Sequence, residues 1–507
     1  MSIEYLIIGA YLCLILGLSL FGFHRYIMVY LYRKYVHGDP PPPPPPSEWP
    51  TVTVQLPIYN ENHVVARLLK AVACLDYPRD RLEIQVLDDS TDETTQTIAY
   101  WVEHYRRQGL TIHHIHRKER TGFKAGALAH GLRTARGEFI AILDADFVPP
   151  PDFLQRTIPY FQDPTVGLVQ VRWEYLNRHF SILTRVQSVM LDGHFVVEHT
   201  ARNRSGRFFN FNGTAGVWRR AAIESAGGWT HDTLTEDLDL SYRAQLKGWR
   251  FIYLKDYVVP SELPVETAAF MRQQFRWAKG STQTALKLLP RILRSGVDPR
   301  VKLEAFFHLT ANVSYVLIVG IGLLLGPVIW ARYRLGLYHL LWLDVPLFCL
   351  ATLSVATFYV LSQRENPRGL RGWWNWLWVI PMLMAVGIGI SLNNARGVLE
   401  ALLGVTSPFE RTPKYGITHA SVHPGWTLSA YRLKNWLMPL LGLGMGLYFL
   451  AVLYLCVEEN LWYSVPFVVL FMVGFLYTSG TTLWQTWVLP WTVRRLGVAP
   501  ARHPLGM

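Results

Sequence analysis

Cysteine is scarce: the 507 residues include four, Cys13, Cys74, Cys349 and Cys456, each far from the others. This scatter lacks the paired spacing of a metal knuckle or a disulfide framework, so both kinds of small cross-linked domain are excluded. We expect the four side chains to be buried thiols. The stretch 51–294 contains a single cysteine, a usage that fits the reducing cytosol.

Negative charge is also in short supply, with 37 acidic against 49 basic residues and a formal net charge of +12. A basic balance can indicate nucleic acid, anionic lipid or an anionic substrate as partner. Nucleic acid is disfavoured, because the lysines and arginines do not gather in one stripe with interleaved aromatic residues. Many of them instead flank apolar runs, where they orient membrane spans by the positive-inside rule.

Long apolar runs are missing from the stretch 51–294 but occur on both sides of it. The first, from Ile3 to Phe23, is close to the roughly 20 residues that a helix needs to cross a bilayer. Basic residues follow this run rather than precede it, and no small-residue cleavage site is evident, which is the reverse of a signal peptide. The sequence therefore predicts an uncleaved anchor with its N-terminus outside.

Five further apolar segments follow the stretch 51–294, which gives six with the anchor. Basic residues place the loop 395–435 and the tail 495–507 in the cytosol by the positive-inside rule; they are Arg396, Arg411, Lys414, Arg432 and Lys434 in the loop, and Arg494, Arg495 and Arg502 at the C-terminal end. An external N-terminus then requires an odd number of spans. We therefore expect 375–394 to be interfacial or re-entrant, leaving five spans. The segments are 305–330, 342–362, 375–394, 436–457 and 463–488.

The part between the apolar regions predicts an α/β domain. Strand-like runs near 51–56, 84–87, 112–115 and 138–143 alternate with helical stretches, a pattern typical of a doubly wound, mostly parallel sheet. The predicted organisation is an N-terminal transmembrane anchor (1–36), a linker with seven consecutive prolines (37–50), a cytosolic catalytic domain (51–264), an amphipathic interfacial helix (265–300), a membrane region with a cytosolic loop at 395–435 (301–494) and a cytosolic tail (495–507).

Acidic pairs follow two of the predicted strands. Asp144 and Asp146 come directly after one, and Asp88-Asp89 ends another. Ligands bind at the carboxyl ends of the strands in open α/β sheets, and such carboxylates can hold Mg²⁺ or Mn²⁺ while a diphosphate fills other positions. Each pair alone is also compatible with a turn that caps the following helix. Together, at one edge of a sheet, they favour the cation site.

A third acidic cluster, Thr235-Glu236-Asp237, predicts a general base. Thr233 and Glu236 have the spacing of a capping box, so part of this cluster has a structural reading as the start of a helix. Both interpretations are compatible, because a carboxylate fixed in the first turn of a helix is well placed to deprotonate a hydroxyl.

Gln273-x-x-Arg276-Trp277 lies in an amphipathic stretch just before the membrane region. One interpretation is an interfacial helix anchored by tryptophan and basic side chains. The other is that Arg276 faces a diphosphate, for which its planar fork is suited, while Trp277 stacks on a sugar. Lys124 likewise is either a phosphate ligand or a solvated charge. The small-residue loop Phe211 to Gly216 permits a close backbone approach or is an ordinary turn.

These motifs, in this order, resemble those of the processive family 2 inverting glycosyltransferases, the group of cellulose, chitin and hyaluronan synthases. The stretch from Phe209 to Trp218 looks most like the cellulose-synthase-like mannan and glucan synthases of plants and their bacterial relatives. The motifs that carry the resemblance are Pro57-Ile-Tyr-Asn-Glu61, Asp88-Asp89, Lys124-Ala-Gly-Ala-Leu128, Asp144-Ala-Asp146, Thr235-Glu-Asp237 and Gln273-Gln-Phe-Arg-Trp277.

The resemblance implies a GT-A type fold and a set of roles. Asp237 would be the catalytic base, and Asp144 and Asp146 would hold Mg²⁺ or Mn²⁺. The residues implied to contact the nucleotide are Tyr59, Glu61, Asp88, Asp89, Lys124 and Asp144, and those implied to face acceptor or diphosphate are Glu236, Gln273, Arg276 and Trp277. The run from Pro408 to Lys414 resembles the family's Phe-x-Val-Thr-x-Lys gating loop, with Arg411 in place of valine.

The expected protein is therefore a multi-pass membrane enzyme, of the bacterial inner or plasma membrane type, with a cytosolic catalytic domain. It would use UDP-glucose or GDP-mannose to extend a β-linked polysaccharide, coupled to translocation. The alternative is a glycosyltransferase acting on a lipid acceptor such as diacylglycerol. A transporter is disfavoured, because the later spans contain few charges and the acidic motifs would have no role. Nucleic acid is not an expected partner.

Overall fold

The computed structural model describes residues 3–36, 38–337, 341–418, 427–428, 436–462 and 464–495. Its soluble part is built on a seven-stranded sheet with the order β3-β2-β1-β4-β6-β5-β7. All neighbours are parallel except β6, which runs antiparallel to β4 and β5. The predicted doubly wound, mostly parallel sheet is confirmed. The strands are β1 (Val52–Ile58), β2 (Leu82–Asp88), β3 (Ile112–His116), β4 (Phe139–Ile142), β5 (Val166–Tyr175), β6 (Gly216–Arg219) and β7 (Arg250–Ser261).

Helices cover both faces of the sheet and form the region of candidate membrane spans, called the membrane region below. They are α1 (Ile3–Tyr35), α2 (Asn62–Ala73), α3 (Thr94–Arg107), α4 (Phe123–Thr134), α5 (Phe153–Thr157), α6 (Ile182–Asp192), α7 (Thr200–Arg204), α8 (Arg220–Ser225), α9 (Glu236–Leu246), α10 (Thr267–Arg294), α11 (Pro299–Thr310), α12 (Val313–Leu335), α13 (Leu341–Glu365), α14 (Trp373–Gly389), α15 (Ser391–Leu402), α16 (Leu437–Glu458), α17 (Val465–Leu483) and α18 (Leu489–Arg495). Short 3-10 turns occupy Arg79–Arg81 and Ile158–Gln162, and π-helical turns occupy Gly193–His199 and Trp484–Val488.

The central strands are buried because helices pack on both faces. β2 is buried at all seven positions, although Glu83, Gln85 and Asp88 are polar. Their buried oxygen atoms are hydrogen-bonded: the Thr53 hydroxyl donates to Glu83, the Gln55 amide group to Gln85 and the Ser90 amide to Asp88. The register aligns the carboxyl ends: Ile58 lies opposite Asp88, and Asp88 lies opposite His116. Side chains that leave these strand ends therefore meet along one edge of the sheet.

Five helices are long and apolar enough to cross a membrane, and the bent pair α14–α15 would make six if it counts as one span. The two helices of that pair meet at 44°, and they cover the segment 375–394 that the sequence set apart from the full spans. The five are Ile3–Tyr35, Val313–Leu335, Pro346–Glu365, Leu437–Glu458 and Val465–Val493. The residues Arg432, Lys434 and Arg502, on which part of the predicted orientation depends, lie outside the described residues.

The cysteines differ from expectation. Cys13 and Cys74 are exposed and Cys349 is half-buried, so the expectation of four buried thiols is wrong for these three. The proline run lies along the soluble domain, where Tyr160 Oη donates to the Pro40 carbonyl at 2.7 Å and the Gln162 side chain donates to the Pro44 carbonyl at 2.6 Å.

Candidate active site

A polar cavity of about 190 Å³ opens at the carboxyl edge of the sheet, between the strand ends, α9, α10 and the segment 405–418. Eleven of the twelve site residues predicted from the sequence line it: Tyr59, Glu61, Asp89, Lys124, Asp144, Asp146, Glu236, Asp237, Gln273, Arg276 and Trp277. Residues that are far apart in the chain therefore converge on one site. The twelfth, Asp88, is outside this lining, and its carboxylate faces His114 and His116 instead.

The first acidic pair sits on the turn that leaves β4, with each carboxylate beside a lysine. Lys124 Nζ lies 2.5 Å from Asp144 Oδ1 and 2.9 Å from the Gly213 carbonyl oxygen. Lys414 Nζ lies 2.9 Å from Asp146 Oδ2, an atom that also accepts the Glu262 amide at 3.1 Å. Both carboxylates thus point into the cavity with their charge balanced by ammonium groups.

The oxygen atoms of Asp144 and Asp146 fit the donor set of Mg²⁺ or Mn²⁺, which prefer hard oxygen ligands and leave room for substrate phosphates. Lys414, which lies against Asp146, supplies the positive charge that a cation would bring to the same carboxylate. Among the residues that the structure describes, a group of three His, Cys, Asp or Glu side chains with ligand atoms in mutual reach occurs elsewhere, at Asp88, His114 and His116.

Asp89 has a fixed partner. Arg117 makes a bidentate pair with it, from Nε at 2.7 Å and from Nη2 at 2.6 Å. Arg120, three residues further on, lies with its guanidinium carbon 3.5 Å from the centre of the Tyr59 ring. Arg120 lines the cavity and Arg117 holds the lining residue Asp89. The motifs did not reveal this basic charge, although both arginines lie directly before the Lys124 motif.

Asp237 lies in the first turn of α9, as the sequence predicted, but the predicted capping box is wrong. The helix begins at Glu236 with Thr235 as its N-cap residue and no side-chain cap bond, and Thr233 Oγ1 is buried with no hydrogen-bond partner among the described residues. The carboxylate is held locally instead: the Leu238 amide donates to Asp237 Oδ1 at 2.8 Å.

The electrostatic surroundings of Asp237 suit a base that works near neutral pH. Burial raises the pKa of Asp237 to about 7, and the adjacent Glu236 carboxylate acts in the same direction, whereas Lys124 and Arg276 oppose the shift. A general base is most effective when its pKa lies close to the working pH. The environment therefore gives this carboxylate the protonation behaviour that proton abstraction needs.

Gly213, in the small-residue loop after α7, lets the backbone approach Asp237. Its φ is +81°, and a Cβ at this position would lie 3.0 Å from Asp237 Oδ2. The prediction that this loop permits a close approach is confirmed by that geometry.

Replacing Gly213 with Ala should lower the transfer rate by about tenfold or more, because the added carbon displaces the carboxylate and small misplacements cost rate steeply. Gly206→Ala is the matched control: Gly206 also has a left-handed φ, +72°, but nothing lies within 4 Å of its Cβ position. Initial rates of both variants, measured beside their thermal unfolding, separate crowding from backbone strain. Equal rates for the two variants would contradict the crowding argument.

α10 presents Gln273, Arg276 and Trp277 to the cavity, since residues three and four apart share one face of a helix. Arg276 packs over Phe409, with its guanidinium carbon 4.4 Å from the ring centre. Gly280, one turn further along, contacts the turn that carries Asp237: a Cβ there would lie 2.6 Å from Thr235 Cγ2. The missing side chain at Gly280 thus sets the distance between the two motifs.

A second, larger cavity of about 500 Å³ continues from the first into the membrane region. It runs between α1, α10, α12, α13, α14 and the π-helical turn at Gly193–His199. Seven residues line both cavities: Trp173, Leu191, Asn212, Thr235, Asp237, Gln273 and Trp277. Asp237 therefore lies at the boundary between the polar cavity and the membrane-side cavity. Trp173 and Leu191 were missed by the sequence reasoning, which had no motif to mark them, whereas Asn212 lies in the loop Phe211 to Gly216 but was assigned no role of its own.

The segment 405–418 covers the polar cavity. Phe409 stacks on Phe123 with a ring-centre distance of 5.7 Å, and Arg411 Nη1 lies 3.3 Å from Glu61 Oε2. Together with the Lys414–Asp146 contact, these interactions hold the run from Pro408 to Lys414, which resembles a gating loop, across the mouth of the cavity. Arg411, the residue that departs from the family pattern, is the one that pairs with Glu61.

The protein-family model described as "Glycosyltransferase like family 2" matches residues 50–280. A probable glucomannan 4-beta-mannosyltransferase 7 of Oryza sativa is 40% identical over 340 residues, covering 64% of this chain and 55% of the relative. Glucomannan 4-beta-mannosyltransferase 2 of Arabidopsis thaliana is 45% identical over 254 residues, covering 49% and 48%. The chain thus spans about half the length of these curated relatives.

A solved mannosyltransferase of Pyrobaculum calidifontis, in complex with GDP-mannose and Mn²⁺, is also similar. It is 23% identical, covers 71% of this chain and 99% of that one, and superposes with a TM-score of 0.49.

Proposed function

We propose that the chain is a membrane-embedded inverting hexosyltransferase. The premise is that residues 50–280 are a glycosyltransferase family 2 domain of the cellulose synthase-like mannan synthase type. It extends a β-linked polysaccharide from a sugar nucleotide and passes the product into its membrane region. The observation that carries this proposal is the position of Asp237, on the boundary shared by the polar cavity and the membrane-side cavity.

The chemistry follows from that position. Asp237 takes the proton of an acceptor hydroxyl, the hydroxyl oxygen attacks the anomeric carbon, and the bond from that carbon to the diphosphate oxygen breaks with inversion. Lys124 and Arg276 both face the acidic cluster, where their charges stabilise the departing diphosphate. A bound Mg²⁺ or Mn²⁺ at Asp144 and Asp146 would supply further neutralisation of that charge.

The acceptor reaches this point from the membrane side. Trp277 and Gln273 line both cavities, so a glycan end held there has its terminal ring against an indole face, a surface on which sugars stack, and its hydroxyl near Asp237. The larger cavity then receives the chain as it lengthens. Basic residues of the described part of the loop 395–435, Arg396, Arg411 and Lys414, favour a cytosolic catalytic domain by the positive-inside rule.

GDP-mannose is the donor favoured by the relatives, which are named as glucomannan 4-beta-mannosyltransferases. UDP-glucose is the second donor to compare. Glucomannan contains both sugars, so the two donors belong in one experiment.

A donor panel with product sizing tests the proposal. Protein purified in detergent is supplied with Mg²⁺ or Mn²⁺ and radiolabelled GDP-mannose, UDP-glucose or UDP-N-acetylglucosamine, and both nucleotide release and product length are measured. We expect GDP-mannose to be consumed fastest and to give a long, alkali-stable polymer. A short product that extracts into organic solvent would instead indicate a lipid acceptor such as diacylglycerol. No turnover of any of the three hexose donors would contradict the proposal.

A further inference from the structure

Three metal-binding side chains meet beside the active site on two neighbouring strands. β3 contains three histidines in five residues, and the two-residue period of a strand puts His114 and His116 on one face and His113 on the other. The register sets His116 opposite Asp88, the last residue of β2. His114 Nε2 lies 2.9 Å and His116 Nδ1 lies 3.0 Å from the same atom, Asp88 Oδ2.

We propose that Asp88, His114 and His116 form a binding site for a transition-metal dication of the Zn²⁺ class, separate from the oxygen pair Asp144 and Asp146. The three ligand atoms lie within 4.8 Å of one another. Tetrahedral Zn²⁺ with bonds of about 2.0–2.1 Å places its ligand atoms about 3.3 Å apart. The distances from Asp88 Oδ2 to His114 Nε2 and His116 Nδ1, 2.9 and 3.0 Å, would therefore lengthen slightly when an ion binds.

The donor set distinguishes this site from the catalytic one. Two imidazole nitrogens and one carboxylate oxygen suit Zn²⁺, and also Ni²⁺ or Cu²⁺, whereas Mg²⁺ prefers oxygen donors alone. Asp144 and Asp146 offer only oxygen. One chain therefore holds two cation sites of opposite selectivity at the same edge of its sheet.

The cluster is organised and accessible. The Ser90 amide donates to Asp88 Oδ1 at 2.8 Å, which fixes the carboxylate and turns its other oxygen toward the histidines. The carboxylate is fully buried, but 17% of the His114 side chain and 39% of the His116 side chain are exposed. An ion can therefore enter from solvent and keep a water molecule as its fourth ligand. Bound there, it would join the ends of β2 and β3 next to Asp89.

Direct metal binding tests this site without reference to transfer activity, so its failure and that of the proposed function are distinguishable. Untagged full-length protein in detergent is stripped with a chelator and titrated with Zn²⁺ by calorimetry, with Mg²⁺ in large excess to saturate the oxygen site. We expect one tight Zn²⁺ site. Removing one of its ligands by His114→Gln or His116→Gln should weaken Zn²⁺ binding by at least about tenfold. Loss of a residue that only supports a ligand already lowers metal affinity by about 10–100-fold, and loss of a ligand itself should cost no less.

His113→Gln is the matched control, because His113 belongs to the same strand but faces Glu83 on the opposite side, at 3.6 Å. It should bind Zn²⁺ like the unaltered protein. Equal affinity in the His114→Gln, His116→Gln and unaltered proteins, or equal loss in His113→Gln, overturns the proposal. Should the altered proteins fail to fold, Co²⁺ added to the unaltered protein decides: intense tetrahedral absorption supports the site, and weak octahedral absorption overturns it.

Discussion

Asp237→Asn is expected to abolish glycosyl transfer while leaving donor binding unchanged. The amide keeps the size and position of the side chain in the first turn of α9, so the cavity keeps its shape, but it cannot accept the acceptor's proton. General acid–base groups contribute about 10²–10⁴-fold to rate, and we expect a loss at the upper end of that range. Among the described residues that line both cavities, Asp237 is the one carboxylate, so no other side chain there can replace it as the base. Initial rates and equilibrium binding of GDP-mannose measure the two effects separately.

Asp232→Asn provides the matched control for that experiment. Asp232 lies five residues earlier, is exposed, and pairs with Lys287 at 2.8 Å outside the cavity. This variant should retain the full rate. An Asp237→Asn enzyme with substantial activity would show that Asp237 is not the base. Loss of donor binding in this variant would show that Asp237 contacts the donor.

The pH profile of the unaltered enzyme reports on the same carboxylate. Because burial and Glu236 raise the pKa of Asp237 to about 7, the deprotonated form that accepts a proton is lost as the pH falls through that value. We therefore expect kcat/KM to rise with pH and to level off above about 7, measured with donor and cation saturating. A flat profile from pH 5 to 8 would contradict a base with the raised pKa.

β1 and β2 were predictable because apolar residues alternate with polar ones along them, and β4 because it is a continuous apolar run. Each of the three leads into the residues of a motif, and their parallel arrangement brings the carboxyl ends together. β5, β6 and β7 had no counterpart among the predicted elements. β7 mixes polar and apolar residues over twelve positions, and β6 is four residues long, so neither has the periodicity that a strand prediction needs.

The contacts across the cavity mouth were beyond sequence reasoning for a different reason. Lys414 reaches Asp146 across 268 positions of the chain, and no local pattern encodes such a pair. Asp88 differs from the other predicted site residues: its carboxylate accepts from the Ser90 amide and faces His114 and His116 of β3 instead of lining the cavity. The capping box at Thr233 failed because the helix starts at Glu236, two residues later than that spacing requires, with α10 rather than a side chain supporting the turn.

Gly280→Ala is expected to reduce transfer by about 10²-fold, the cost of a displacement near 1 Å in an active site. Within a helix this substitution ordinarily stabilises by about 1 kcal/mol, so helix propensity alone predicts a harmless change. The tertiary contact predicts the opposite. The added Cβ would lie 2.6 Å from Thr235 Cγ2 and 2.9 Å from the Thr235 amide nitrogen, and the backbone atom cannot swing aside as a side chain could.

The consequence is specific to this packing, because α10 carries Gln273, Arg276 and Trp277 on one side of the acceptor and Thr235 precedes Asp237 on the other. Separating α10 from that turn moves Trp277 away from the base, so kcat should fall while donor affinity stays near its original value. Gly296→Ala is the control, since nothing lies within 4 Å of that Cβ position; it should change neither quantity. Comparing kcat, donor affinity and thermal unfolding for the two variants decides the matter: a fully active Gly280→Ala enzyme would mean that the spacing between the Asp237 turn and α10 does not control transfer.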